Sequence, residues 1–146
     1  MKKIVLIMMT CAMLLLAGCD TTEPVQEKTI GTVAEYEDYK AELLEAEFYT
    51  DDGKEMMKVN VTYTNDGVNG MYMLESFAVK AFQNDIELTD CTDINDDSKL
   101  ITEVKDGQSI TGAYIFELAD TSTVEVRICT PTADEEILAL KEYSND

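Results

Sequence analysis

Met57-Lys58-Val59-Asn60-Val61-Thr62-Tyr63-Thr64 decides the fold. Apolar side chains at Met57, Val59, Val61 and Tyr63 alternate with polar ones at Lys58, Asn60, Thr62 and Thr64. Successive strand side chains point to opposite faces, so this period of two predicts a strand with one face in a core and one in water. Asn65-Asp66-Gly67 ends the strand with turn-forming residues. Upstream, Asp51-Asp52-Gly53 is a hairpin signal. Glu35 to Glu47 holds good helix formers, yet Tyr39, Ala41 and Leu43 alternate with Lys40, Glu42 and Leu44, and a turn leading into a strong strand favours a hairpin partner.

Downstream, Phe77, Val79 and Ala81 begin another strand. Asn84-Asp85 supplies the positive φ values of a two-residue turn, and Glu87 to Cys91 is the expected return, with Ile86 and Leu88 pointing in. Asp106-Gly107 precedes a strand ending Ala113-Tyr114-Ile115-Phe116-Glu117-Leu118, and Val124, Val126 and Ile128 mark the next. In the tail, Thr132-x-x-Glu135 resembles a capping box ahead of a short helix, while a final edge strand through Ile137, Leu138 and Leu140 suits the rest of the chain better. About seven short strands with regular turn signals point to an all-β, immunoglobulin-like antiparallel β-sandwich.

The N-terminal part reads differently. Lys2 and Lys3 precede an apolar stretch from Ile4 to Leu16, too short for a spanning helix, which needs about twenty residues. It suits the apolar region of a signal peptide. The stretch closes on Leu16-Ala17-Gly18-Cys19, which resembles a bacterial lipobox. The resemblance implies cleavage before Cys19 and a diacylglycerol on its thiol, and paired acyl chains hold a protein on a membrane where one holds it only marginally. The polar segment DTTEPVQEKTIGTVAE, residues 20–35, reads as a spacer. The expected organisation is a signal peptide over 1–18, a lipidated Cys19 with flexible linker over 19–35, and the sandwich over 36–146.

Composition narrows the function. The 146 residues carry 30 acidic and 11 basic side chains, a formal charge of −19, which argues against nucleic acid because phosphate binding is built on clustered Lys and Arg. Cleavage would remove only Lys2 and Lys3 from that balance, leaving a surface repelled by anionic headgroups, so the lipid and not surface charge is the expected tether. The chain has no His, which removes the commonest general base and the usual Ser-His and Cys-His pairs. The seven Gly are scattered and form no phosphate loop, and Ser76 and Lys80, on an expected strand, do not face each other as a helical Ser-x-x-Lys would. No enzymatic activity is expected.

Several stretches resemble a family of small immunoglobulin-like domains of unknown function on Gram-positive bacterial lipoproteins. They are Val59 to Asn65, Ala81 to Leu88, Val104 to Ser109 and Ala113 to Leu118, within a span from Tyr36 to Ile128. Asp85 and Asp106 stand where that family usually has Gly and Pro, with turn chemistry kept. The resemblance implies the fold and an extracytoplasmic location, and carries no catalytic residues.

Three further features bear on chemistry. Cys91 and Cys129 are an even pair outside the reducing cytosol, and strand parity puts both on polar faces, so either a disulfide or two free thiols is open. Asp93, Asn95 and Asp97 place oxygens at positions 1, 3 and 5 of a calcium-loop pattern. Ser98 replaces its Gly and Val104 its bidentate Glu, so a solvated acidic loop is the plainer reading and a weak calcium site the alternative. Met71-Tyr72-Met73-Leu74 either packs on the sandwich or offers an apolar patch to a partner, while Met56 and Met57 read as core filler rather than copper ligands. Together these features predict a lipoprotein on the outer face of a bacterial plasma membrane, anchored through diacylglycerol on Cys19. It would present a non-catalytic binding domain to another envelope protein or an extracellular ligand, with a calcium-responsive surface domain as the alternative.

Overall fold

The structure, a computed structural model, describes residues 30–95 and 98–145. The lipobox and Cys19 lie outside the described residues. Among the described residues, eleven strands and one single-turn helix follow in order: β1 (Val33–Tyr36), β2 (Tyr39–Asp51), β3 (Lys54–Asn65), β4 (Met71–Tyr72), α1 (Met73–Ser76), β5 (Ala78–Gln83), β6 (Ile86–Glu87), β7 (Thr89–Asp90), β8 (Glu103–Val104), β9 (Gln108–Glu117), β10 (Val124–Cys129) and β11 (Ile137–Tyr143). They form a five-stranded sheet in the order β1-β2-β3-β9-β7, a four-stranded sheet β11-β10-β5-β6 and a small β4-β8 pair. Every pairing is antiparallel. The expected all-β antiparallel sandwich is therefore the fold, and the tail is strand β11 rather than a helix.

The alternation in β3 does what its pattern predicts: Met57, Val59, Val61 and Tyr63 are fully buried. They meet Val79 and Ala81 of β5 and Val124, Val126 and Ile128 of β10 in one core between the sheets. Both anticipated hairpins close through left-handed residues, Asp52 (φ 45°) with Gly53 (φ 78°) and Asn84 (φ 50°) with Asp85 (φ 63°). The Asn65-Asp66-Gly67 stop is built by a buried amide. The Asn65 Nδ2 donates to Asn69 O at 2.6 Å and Val104 O at 2.8 Å, and its Oδ1 accepts from Gly67 N at 2.8 Å. Gly112 in β9 is small by need, since a Cβ there would sit 2.7 Å from Ser98 O and 3.2 Å from Met73 Sδ.

Four expectations are corrected. The folded part begins before residue 36: Ala34 is fully buried in β1, Thr32 O accepts from Leu43 N at 3.0 Å and Gly31 O from Leu140 N at 2.9 Å. Ile86 does not point in; it is 68% exposed, because β6 is only two residues long and the chain crosses from one sheet to the other at Leu88. Cys129 is not on the polar side. A register shift between Ile128 and Cys129 breaks the parity, and the thiol is buried. The two thiols are free, Cys91 exposed after the edge of one sheet and Cys129 buried in the other, so no disulfide joins them.

The two flanks of the sandwich differ. On one, β2 carries a bulge between Leu43 and Ala46, where one extra residue opposes β3. A bulge frees backbone groups from the ladder. Here the Leu44 carbonyl accepts from Lys141 Nζ at 2.7 Å and Tyr143 OH at 2.8 Å, tying β11 to the opposite sheet. With the Leu140 to Gly31 bond, this closes the flank formed by β1 and β11. The other flank ends in two-residue strands, β6 and β7, and is where the sandwich opens.

Candidate functional site: the groove at the open flank

β6 pairs with only Phe82 and Gln83 of β5. The Leu88 amide then donates to Ala81 O at 2.8 Å, and the chain leaves for the other sheet. Ala78, Val79 and Lys80 have β10 on one side and no strand partner on the other among the described residues. Beside this uncovered edge lies a groove of about 460 Å³, a size that suits a ligand or a short peptide segment. Its walls come from both sheets, with Phe77, Val79 and Leu88 facing Tyr114 and Phe116.

Tyr114 is the unusual member. β9 places it inward, 2% exposed, with its ring stacked at 6.5 Å on Phe116. Its hydroxyl has no hydrogen-bond partner among the described residues. Buried tyrosine hydroxyls usually find one, as Tyr63 does with Ser76 Oγ at 2.8 Å and Tyr143 with Leu44 O. Burial, and next to it the Asp90 carboxylate, pushes the Tyr114 phenol well above its ordinary range, so it is a neutral donor at every physiological pH.

The rim is charged. Lys80 Nζ pairs with Glu135 at 2.8 Å and lies 3.9 Å from Glu87. The hydrogen bond to Glu135 raises the ammonium above its usual value and holds it charged. Asp90 adds a third carboxylate to the lining, and its Oδ1 accepts from Thr92 N at 2.8 Å. Two carboxylates, Glu135 and Glu87, thus flank one ammonium.

The residues singled out from the sequence lie elsewhere. Cys91 belongs to a smaller hollow with Lys58 and Ser98, and burial raises the Cys129 thiol beneath the Lys80 and Glu135 side chains. Asp93 and Asn95 are exposed; the Asp93 carboxylate accepts from Asn95 N at 2.9 Å, and Asp97 lies outside the described residues. Among the described residues no group of three or more acidic or Cys side chains is arranged for a metal ion. In the Met71 to Leu74 run, Met73 is buried, whereas Tyr72 and Leu74 are 39% and 44% exposed, and Leu74 reaches the groove. No strand-parity argument pointed to Leu88, Lys80 and Glu135 as neighbours, since only the sheet crossing brings them together.

Fold and groove define a class: a two-sheet antiparallel sandwich closed along one flank and open along the other. The chain belongs to the family described as "Domain of unknown function (DUF5067)", whose model matches residues 16–129, a span that includes Cys19. The fold is similar to that of a "putative lipoprotein" from Staphylococcus aureus subsp. aureus NCTC 8325, with TM-score 0.61 and 13% identity over 78% of this chain and 88% of that one. It is also similar to one so described from Bacillus subtilis subsp. subtilis str. 168, with TM-score 0.55 and 16% identity over 78% of this chain and 38% of that one. No curated protein matches the chain. Among the described residues no helix is long and apolar enough to cross a membrane.

Proposed function

We propose that the chain is a lipid-anchored, extracytoplasmic, non-catalytic binding domain whose ligand surface is the groove at the open flank. The observation that carries the reading is the groove itself, about 460 Å³ between the two sheets beside an uncovered strand edge, with the unpartnered Tyr114 hydroxyl buried beneath its lining. The Leu16-Ala17-Gly18-Cys19 tetrapeptide supports the anchor, and the two solved structures described as lipoproteins agree with it. The groove's titratable groups are Lys80, Glu87, Asp90, Tyr114 and Glu135 in a chain without His, a set suited to holding a ligand rather than to activating a nucleophile.

Two variants test the reading. Cys19→Ala should move the protein from the membrane fraction to the soluble fraction; an unchanged membrane fraction contradicts the anchor. A photoactivatable side chain at Glu87, on the groove rim, should give discrete adducts in native membranes. The same group at Thr111, on the solvent face of β9, should not, and equal patterns from both contradict the groove.

A further inference from the structure

Resting on the reading of the groove as a binding surface, we infer that its ligand is an extended, basic peptide segment of another protein, which adds to the uncovered edge of β5 at Ala78–Lys80. Three observations converge on this occupant. The first is the edge itself. Ala78, Val79 and Lys80 are held in extended conformation by β10, through the pairs Cys129↔Ala78, Ile128↔Val79 and Arg127↔Lys80. Their opposite side is left without a strand, because β6 stops at Glu87, and by alternation the Val79 N–H and C=O face this open side while those of Ala78 and Lys80 face β10. An extended peptide satisfies such an edge with main-chain hydrogen bonds, and alternate side chains then fall into or out of the adjoining groove.

The second observation is the groove floor. Side chains of the added strand that point inward would meet Phe77, Leu88 and Phe116, with the Tyr114 hydroxyl sealed beneath them. The floor therefore takes an apolar side chain. The third observation is charge. Glu135 holds Lys80 at 2.8 Å with Glu87 3.9 Å away, Asp90 adds a further carboxylate to the lining, and the whole chain carries −19. An acidic peptide would be repelled by rim and molecule alike, whereas a segment alternating basic and apolar residues matches both faces.

The test uses the full chain in detergent micelles with three synthetic peptides: alternating Lys-Val, alternating Glu-Val, and Lys-Val with a central proline. The Lys-Val peptide should bind saturably and slow amide hydrogen exchange at Val79. Glu87→Gln with Asp90→Asn should weaken it at least threefold. The Glu-Val peptide should not bind. The proline peptide has the same charge and cannot complete the ladder, so it should bind at least tenfold more weakly.

Equal binding of the proline peptide, or protection that misses Val79, would show charge attraction without strand addition and overturn the inference. Absence of Lys-Val binding overturns it as well. If adducts still formed from Glu87 in membranes, the groove would stand as a binding surface for a different ligand, so the two failures are separable.

Discussion

At the residue scale, Tyr114, Tyr63 and Tyr143 show how much a single partner matters. All three are buried, Tyr63 and Tyr143 are hydrogen-bonded within the chain, and Tyr114 is not. Removing an unpaired buried hydroxyl relieves its desolvation cost, so Tyr114→Phe should stabilise the free protein by about 1 kcal/mol in denaturant unfolding. A loss of stability instead would mean that the hydroxyl has a partner within the fold. Asn65 and Gln83 are the opposite case, buried polar side chains with every group engaged. Gln83 Nε2 donates to Asp120 O at 3.1 Å and Ser122 O at 2.8 Å, and its Oε1 accepts from Ala119 N at 2.8 Å, which shapes the 119–122 loop ahead of β10.

At the element scale, the bulge in β2 and the short return strand β6 give the sandwich its asymmetry. Tyr143 anchors the bulge, and burial, then the nearby Glu45 carboxylate, raises its phenol well above the ordinary 10.0. A raised folded value means stability that is fully present below the unfolded value and lost as pH climbs past it. Denaturant unfolding should therefore show stability falling above about pH 10, and Tyr143→Phe should make that fall shallower while lowering neutral-pH stability by about 1 kcal/mol through the lost bond. An unaltered alkaline slope would contradict the burial that raises this phenol.

Strands of six residues or more with clean alternation, β3, β5 and β10, were legible because local pattern and burial agree there. Ile86 and Cys129 were misread where alternation was carried through a place at which the backbone changes course. β6 ends after two residues at a sheet crossing, and β10 shifts register at its last residue. Such breaks arise from tertiary pairing and leave no mark in the local pattern. The groove was invisible for the same reason. The sequence marked a strand through Tyr114 without assigning its face, and the groove beside it depends on Leu88, Asp90 and the 130–136 loop, which are distant in sequence.

At the scale of the whole molecule, the protein is a strongly acidic sandwich with one flank fastened and one left open. Leu140, Lys141 and Tyr143 fasten the first; two-residue strands and an uncovered stretch of β5 leave the second exposed. In the proposed reading, the open flank is the place that binds and the fastened flank is the back that holds it. Amide hydrogen exchange on the ligand-free full chain measures it directly, since local opening follows the backbone bonds and packing of each segment. We expect slow exchange in β1, β3, β10 and β11, and exchange at least a hundredfold faster at some amides within residues 78–80 and 86–90. Uniform protection across both flanks would contradict the open edge and, with it, the groove as a site for an added strand.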